Sequence, residues 1–171
     1  FCIDRFAMTR QFLVTLSAGG SAALLAGAYL FQALGYPPCA MCLWQRWPHF
    51  VAIAIGLFAL QFGGRLLPAL GGIAAATTAG IGLFHTGVER DWWEGPSTCT
   101  GTGGGLDGLS GADMLTITGP RVIMCDQVSW ELFSLSMASW NAFFSILLVV
   151  GWIMAVRASA GSTTASSSQT L

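Results

Sequence analysis

Lysine is missing altogether from this 171-residue chain, and only 9% of its residues are charged. The seven basic residues are all arginine and stand against eight acidic ones, for a net charge of -1. So weak a positive field cannot gather phosphates, which sets aside nucleic acid and anionic surfaces as partners. No Cys-x-x-Cys-His haem attachment sequence occurs, and no glycine-rich stretch stands between a strand and a helix as a nucleotide fingerprint requires, so redox chemistry here would need another electron carrier. What is present in excess is apolar. Hydrophobic residues make up 54% of the chain and the mean hydropathy is +0.65, far from a soluble globular domain. These numbers describe a membrane protein. Phe1 stands where an initiator Met is usual, which points to a missing or processed N-terminus.

Phe12 to Leu34 is a 23-residue apolar run, long enough at ~1.5 Å per residue to cross a ~30 Å hydrocarbon layer. Ala26-Gly27-Ala28 looks like a signal-peptide cleavage site, but the run continues past it and exceeds a usual signal core, which favours a transmembrane helix. Phe50 to Phe62 is only 13 residues, so a second span must start near Cys42 and carry Gln45, Arg46 and His49 at membrane depth. A Gly63-Gly64-Arg65 turn leads to a third span of 19 residues, Leu66 to Phe84, and a fourth runs from Leu132 to Val156 before Arg157. The expected fold class is therefore an all-α membrane protein, a four-helix transmembrane bundle forming one domain over 1–157. Its spans are about 12–34, 42–62, 66–84 and 132–156, with a long extracytoplasmic loop, 85–131, between helices 3 and 4. The Ala/Ser/Thr-rich tail 158–171 has too little apolar content to fold and is expected to be disordered. Small residues recur at every fourth position in three stripes: Gly19, Ala23 and Gly27; Gly72, Ala76 and Gly80; Ser134, Ala138 and Ala142. Such stripes let helix backbones approach closely, although plain abundance of Gly and Ala is a rival explanation.

With four spans, the loop 35–41 and the loop 85–131 share one side, while both termini and the Arg65 turn share the other. Cys39, Cys42, Cys99 and Cys125 then lie on one face, and Cys2 does not. Arg5, Arg10, Arg65 and Arg157 on the terminal side outnumber Arg46, Arg90 and Arg121, so the termini read as cytoplasmic and the cysteine face as periplasmic. Disulfides persist in that compartment.

Cys39-Ala40-Met41-Cys42 has the spacing in which one thiol attacks the other's mixed disulfide. Pro37-Pro38 fixes an extended approach, so Cys42 falls near a helix N-terminus, where free N–H groups and the dipole favour a thiolate. Arg46 lies at i+4 from Cys42, placing a guanidinium on the same helical face. Cys99 and Cys125 fall in a loop rich in glycine, including Gly101, Gly103, Gly104, Gly105, Gly108 and Gly111, whose mobility would suit exchange with a passing protein. Two other readings of the cysteines compete. Four sulfurs could hold zinc, but the second pair lacks close ligand spacing and an oxidising face opposes free thiolates, so no metal is expected. Two inert disulfides are the other, weakened because a bridge over three residues closes too short a loop to staple anything. A membrane dithiol needs an electron outlet, and a lipid-soluble quinone is the economical one. Arg46 and His85, at the end of the third span, can both hydrogen-bond a quinone carbonyl, although a lone interfacial His is equally a residue satisfied by backbone or water. Trp44, Trp47, Trp92 and Trp93 read first as an interfacial belt and only second as stacking partners.

At these residues the chain resembles the disulfide bond formation protein B family, DsbB, of bacterial inner membranes. The likeness covers nearly all of residues 12 to 157. It is carried by Pro38 to His49, by His85-Thr86-Gly87-Val88-Glu89 with Trp93 to Pro96 and Cys99, by Cys125-Asp126 with Trp130, and by Leu135 to Asn141. The resemblance implies an oxidase that keeps a periplasmic DsbA-type dithiol protein oxidised and passes the electrons to quinone, ubiquinone or menaquinone. It further implies that Cys99 is the sulfur attacked by reduced DsbA, with Cys125 as its loop partner. Cys39 then re-oxidises the loop pair, Cys42 faces the quinone, and Arg46 and His85 neighbour it. Gln45 departs from members that carry an acidic residue before the arginine, and Cys2 matches no motif. The alternative from a different class is a non-catalytic membrane protein whose loop disulfides shape a surface for another subunit.

Overall fold

The computed structural model describes residues 2–97, 99 and 124–167, with side chains over 9–97, 99 and 124–159. The glycine-rich stretch 101–111 lies outside the described residues, as does Cys2's side chain. Among the described residues four helices form: α1 (Cys2–Ala33), α2 (Ala40–Gln61), α3 (Leu66–Glu89) and α4 (Met137–Ser167). Before α4, β1 (Glu131–Leu132) pairs antiparallel with β2 (Leu135–Ser136), Glu131 opposite Ser136. The helices pack in a ring, α1 on α2, α2 on α3, α3 on α4 and α4 back on α1, with little contact between α1 and α3.

Among the described residues three helices are long and apolar enough to cross a membrane: α1 over Thr9–Ala33, α3, and α4 over Met137–Ser159. Helix α2 has 22 residues and buries Gln45, Arg46 and His49, so it turns its polar side chains into the bundle and its apolar ones outward. The chain is thus a four-helix transmembrane bundle, as its hydropathy suggests.

Several boundaries differ from those read in the sequence. Residues 132–136 belong to the hairpin, and the fourth helix starts at Met137. Phe133 and Ser134 take left-handed backbone angles at its tip, φ 53° and 60°, which no helix can continue through. Helix α3 runs on to Glu89, so His85 lies inside it rather than at its end. Helix α4 continues to Ser167, where an unfolded tail from Ala158 was the expectation. An existing helix extends without a new nucleation step, and Ser159 is buried, accepting from Arg10 Nε at 3.0 Å. Another guanidinium nitrogen of Arg10 donates to the carbonyls of Ala59 at 2.8 Å and Phe62 at 2.9 Å, near the end of α2. Arg10 therefore gathers α1, the α2–α3 turn and the end of α4 at one pole of the bundle.

Two of the three small-residue stripes do not carry the packing. Gly19, Gly27 and Gly80 have open space where a Cβ would stand, and Ala23 and Ala76 are exposed. The close-packing face of α3 is set one position back, at Gly71, Ala75 and Ala79. In the second stripe Gly72 alone meets a neighbour, the Cβ of Trp152, whereas Ala138 and Ala142 of the third lie against Gly82. Hydropathy finds these helices but cannot tell which of two adjacent small residues faces a partner, because both are equally apolar.

Trp152, fully buried, fills the space this face provides, its indole lying against Gly71 and near Gly56. A Cβ on Gly71 would stand 2.7 Å from the indole Cζ2, and the ring has no free end to move aside. Gly71→Ala is therefore expected to destabilise the bundle by about 1–3 kcal/mol through overpacking, read as a lower unfolding temperature in detergent. The exposed Gly80→Ala should leave that temperature level or raised.

Candidate functional site

Local sequence builds the mouth of α2. Gly35, at φ 98°, ends α1 in the left-handed conformation, with Gly35 N–H bonded to Gln32 O at 3.1 Å and Tyr36 N–H to Phe31 O at 3.1 Å. Pro37 and Pro38 then cannot join a helix hydrogen-bond ladder, and α2 starts at Ala40 with Cys39 as its N-cap. Cys39 Sγ accepts from the Cys42 backbone N–H at 3.2 Å, a sulfur in the place usually taken by a hydroxyl or carboxylate. The two sulfurs stand 2.8 Å apart, Cys39 donating to Cys42.

The other pair is joined: Cys99 and Cys125 form a disulfide, and Cys125 N–H donates to Cys99 O at 2.6 Å. Both are buried, and they cluster with Cys39, Met41 and Val88. Cys39 Sγ, Cys125 Sγ and a ring nitrogen of His85 all lie within 4.8 Å of one another. The four cysteines expected to act together are thus in one place. Zinc would need deprotonated sulfurs from both pairs, and the bond between Cys99 and Cys125 occupies two of them.

His85, buried on α3, approaches Cys39 Sγ with Nε2 at 3.6 Å and Glu89 Oε1 at 3.8 Å. Glu89 also accepts from Ser136 of the hairpin, tying it to the last turn of α3. Arg46, only 8% exposed, is held by α1: it donates to Gln32 Oε1 at 2.7 Å and Ala28 O at 3.4 Å, and its guanidinium lies 4.6 Å from the Tyr29 ring centre. Cys42, Arg46 and His85 all line a cavity of about 480 Å³. Its aromatic wall is Phe31, Tyr36, Trp130, Trp140 and Phe144. Trp44, Trp47, Trp92 and Trp93, read as a belt with a secondary stacking role, are exposed and take no part in the lining.

Residues passed over or left without a role in the sequence complete the site. Gln45, His49 and Asn141 line the cavity, and Thr78 bridges behind them. The available signal was their polarity within apolar helices, since a polar residue at membrane depth is costly unless paired or used.

The thiol of Cys39, which precedes the helix, has its pKa pushed above the ordinary thiol range, first by its hydrogen bond to Cys42 and then by burial. A raised value keeps Cys39 protonated at neutral pH. In the dithiol form, iodoacetamide at pH 7 is expected to label the half-buried Cys42 first, with Cys39 about 10-fold slower or more and accelerating only above pH 9. Equal labelling of the two by mass spectrometry would contradict this.

A dithiol at one pole of a transmembrane bundle, packed against a cross-linked loop pair, defines a membrane thiol–disulfide oxidoreductase. More particularly, the chain belongs to the disulfide bond formation protein DsbB family, whose family model matches residues 10–155. Disulfide bond formation protein B of Paracidovorax citrulli is 29% identical over 160 residues, covering 89% of this chain and 90% of the relative. That of Aromatoleum aromaticum is 28% identical over 163 residues, 90% and 95% of the two chains, and that of Polaromonas naphthalenivorans 31% over 147, 81% and 85%. No solved structure matches the chain significantly.

Proposed function

We propose that this protein re-oxidises a periplasmic DsbA-type dithiol protein and passes the electrons through Cys99–Cys125 and then Cys39–Cys42 to a membrane quinone. The observation that carries the reading is the meeting of Cys125 Sγ, Cys39 Sγ and a His85 ring nitrogen within 4.8 Å, which brings the loop disulfide to the helix-mouth thiols. A partner thiolate attacks Cys99 and releases Cys125; Cys125 attacks Cys39 and releases Cys42 as thiolate. The partner's second thiolate attacks the partner sulfur of the mixed disulfide, closing the partner's disulfide and releasing Cys99 as thiolate; Cys99 then attacks Cys125, re-forming the loop pair, and Cys39 leaves as thiolate. Each step exchanges one S–S bond for another, so sulfur oxidation is conserved until the electrons leave from Cys42.

The cavity's size, aromatic wall and few convergent polar groups suit a ring headgroup such as that of ubiquinone or menaquinone. Arg46 keeps donors beyond those it gives to α1. Bound there, a quinone supplies the two-electron sink. Arg46 would orient its carbonyl, and the aromatic residues would exclude water. The cysteine pole is read as periplasmic, the Arg10 pole and both termini as cytoplasmic, and the membrane as the bacterial inner membrane. The test is quinone reduction driven by reduced DsbA-type protein, with each of the four cysteines replaced singly. Thiols that stay inert while quinone absorbance holds constant would leave only a structural role for the loop disulfide.

A further inference from the structure

The amides of Gln45 and Asn141 in the cavity wall are oriented by two backbone carbonyls, and their orientation decides which nitrogen of His85 carries its proton. A carbonyl can only accept. The Gln45 side-chain atom 3.3 Å from Met41 O must therefore be its NH₂, and the same nitrogen lies 2.9 Å from His85 Nδ1. Thr78 Oγ1 must likewise donate to Gln45 O, at 3.0 Å, so it accepts from Asn141 Nδ2 at 3.2 Å. Asn141 Nδ2 also donates to Gln45 Oε1 at 2.7 Å, which fixes the other end of the Gln45 amide. Asn141 Oδ1 is left to accept from His49 Nε2 at 3.0 Å. Every bond in the chain agrees with one assignment. In that assignment an N–H of Gln45 points at His85 Nδ1, which must be a lone pair.

We infer that Gln45 is a positioning residue: its carboxamide holds His85 with the proton on Nε2 and none on Nδ1, so that the imidazole presents an N–H to the sulfur of Cys39. Nε2 stands 3.6 Å from that sulfur, within reach of an N–H···S bond. A neutral imidazole so held is a hydrogen-bond donor and not a proton carrier, because giving up Nε2–H would leave an imidazolate. Its effect falls on the step in which Cys99 attacks Cys125 and the Cys39–Cys125 bond breaks. The electron pair of that bond leaves on Cys39, and the Nε2–H stabilises the thiolate without transferring. This rests on the exchange route proposed above, while the state of His85 can be read independently of it.

The chain has only two histidines, so ¹⁵N and ¹³C spectra of the histidine-labelled protein in detergent are simple, and His85→Gln assigns the pair. The expected wild-type result is a His85 signal with the proton on Nε2. In Gln45→Glu a carboxylate faces Nδ1 and accepts from it, so a proton should appear on Nδ1. In Gln45→Leu the lock is gone and both tautomers should be populated. On the chemistry, the Cys39–Cys125 species trapped by acid quench after adding reduced DsbA-type protein should persist roughly 10-fold longer in Gln45→Leu, for loss of one charge-assisted hydrogen bond. A wild-type proton on Nδ1, or a His85 spectrum unchanged in Gln45→Glu, overturns the assignment, and neither variant is needed for the first of these. If the tautomers behave as expected but the wild type never forms a Cys39–Cys125 species, the exchange route falls while the Gln45–His85 assignment stands.

Discussion

Serine in place of Cys99 is expected to stop quinone reduction by reduced DsbA-type protein, lowering the rate roughly 10³-fold or more, and to prevent oxidation of even one equivalent of the partner. The hydroxyl cannot form the S–S bond that receives the partner's thiolate, and Cys125 is left without its bridge. Cys39→Ser should fail differently. Its loop disulfide is intact, so one equivalent of partner is oxidised per chain before the reaction stops, because no sulfur takes the electrons on. The contrast between zero and one equivalent is the informative measurement, made by quenching with acid and counting free thiols. It follows from the arrangement of the pairs: Cys125, wholly buried, is the loop sulfur against Cys39, which leaves Cys99 for the partner in the proposed relay. Cys99 is itself only 3% exposed, so the proposed attack requires that it first become accessible. Steady quinone reduction in Cys99→Ser would remove the relay.

Much of this was legible in the sequence for simple reasons. Apolar runs gave the four helices, because nothing but a membrane rewards so many consecutive Leu, Ala, Phe and Ile residues. The short second run gave the buried Gln45, Arg46 and His49, since length alone forced polar residues to membrane depth. Pro37-Pro38 before Cys39 located the helix start to within two residues, near Cys42 against the observed Ala40, because proline has no N–H to join the ladder. Other features had no such local signal. The hairpin at 131–136 looks apolar like the helix it precedes, and only its left-handed turn residues give it away. The packing face of α3 is shifted by one residue from the stripe read in sequence, a difference that neighbouring glycines make invisible. Most telling is Asn141, which bonds across the bundle from α4 to Gln45 on α2 at a separation of 96 residues. Periodicity describes one helix at a time, whereas that bond depends on how four of them are rotated.

Arg46→Ala is expected to raise the quinone concentration needed for half-maximal rate about 10- to 150-fold, the equivalent of the ~1.5–3 kcal/mol carried by a hydrogen bond to a charged group. The first equivalent of partner oxidised, which depends on Cys99 and Cys125, should change less than about 3-fold, because the two events use separate groups. The asymmetry comes from how the side chain is held. Gln32 Oε1 and Ala28 O occupy donors on the α1 side, and the Tyr29 ring covers the guanidinium plane, so the head cannot swing out to the surface as an interfacial arginine would. Its remaining N–H groups are then free for the cavity it lines. Arg46→Lys supplies the charge but not the planar fork, and one ammonium cannot both reach Gln32 and serve the cavity. Its half-saturating quinone concentration should fall between those of wild type and Arg46→Ala, with partner oxidation again close to wild type. Should Arg46→Ala slow partner oxidation and quinone use by the same factor, the arginine acts by holding α1 to α2, and its assignment to the quinone is wrong.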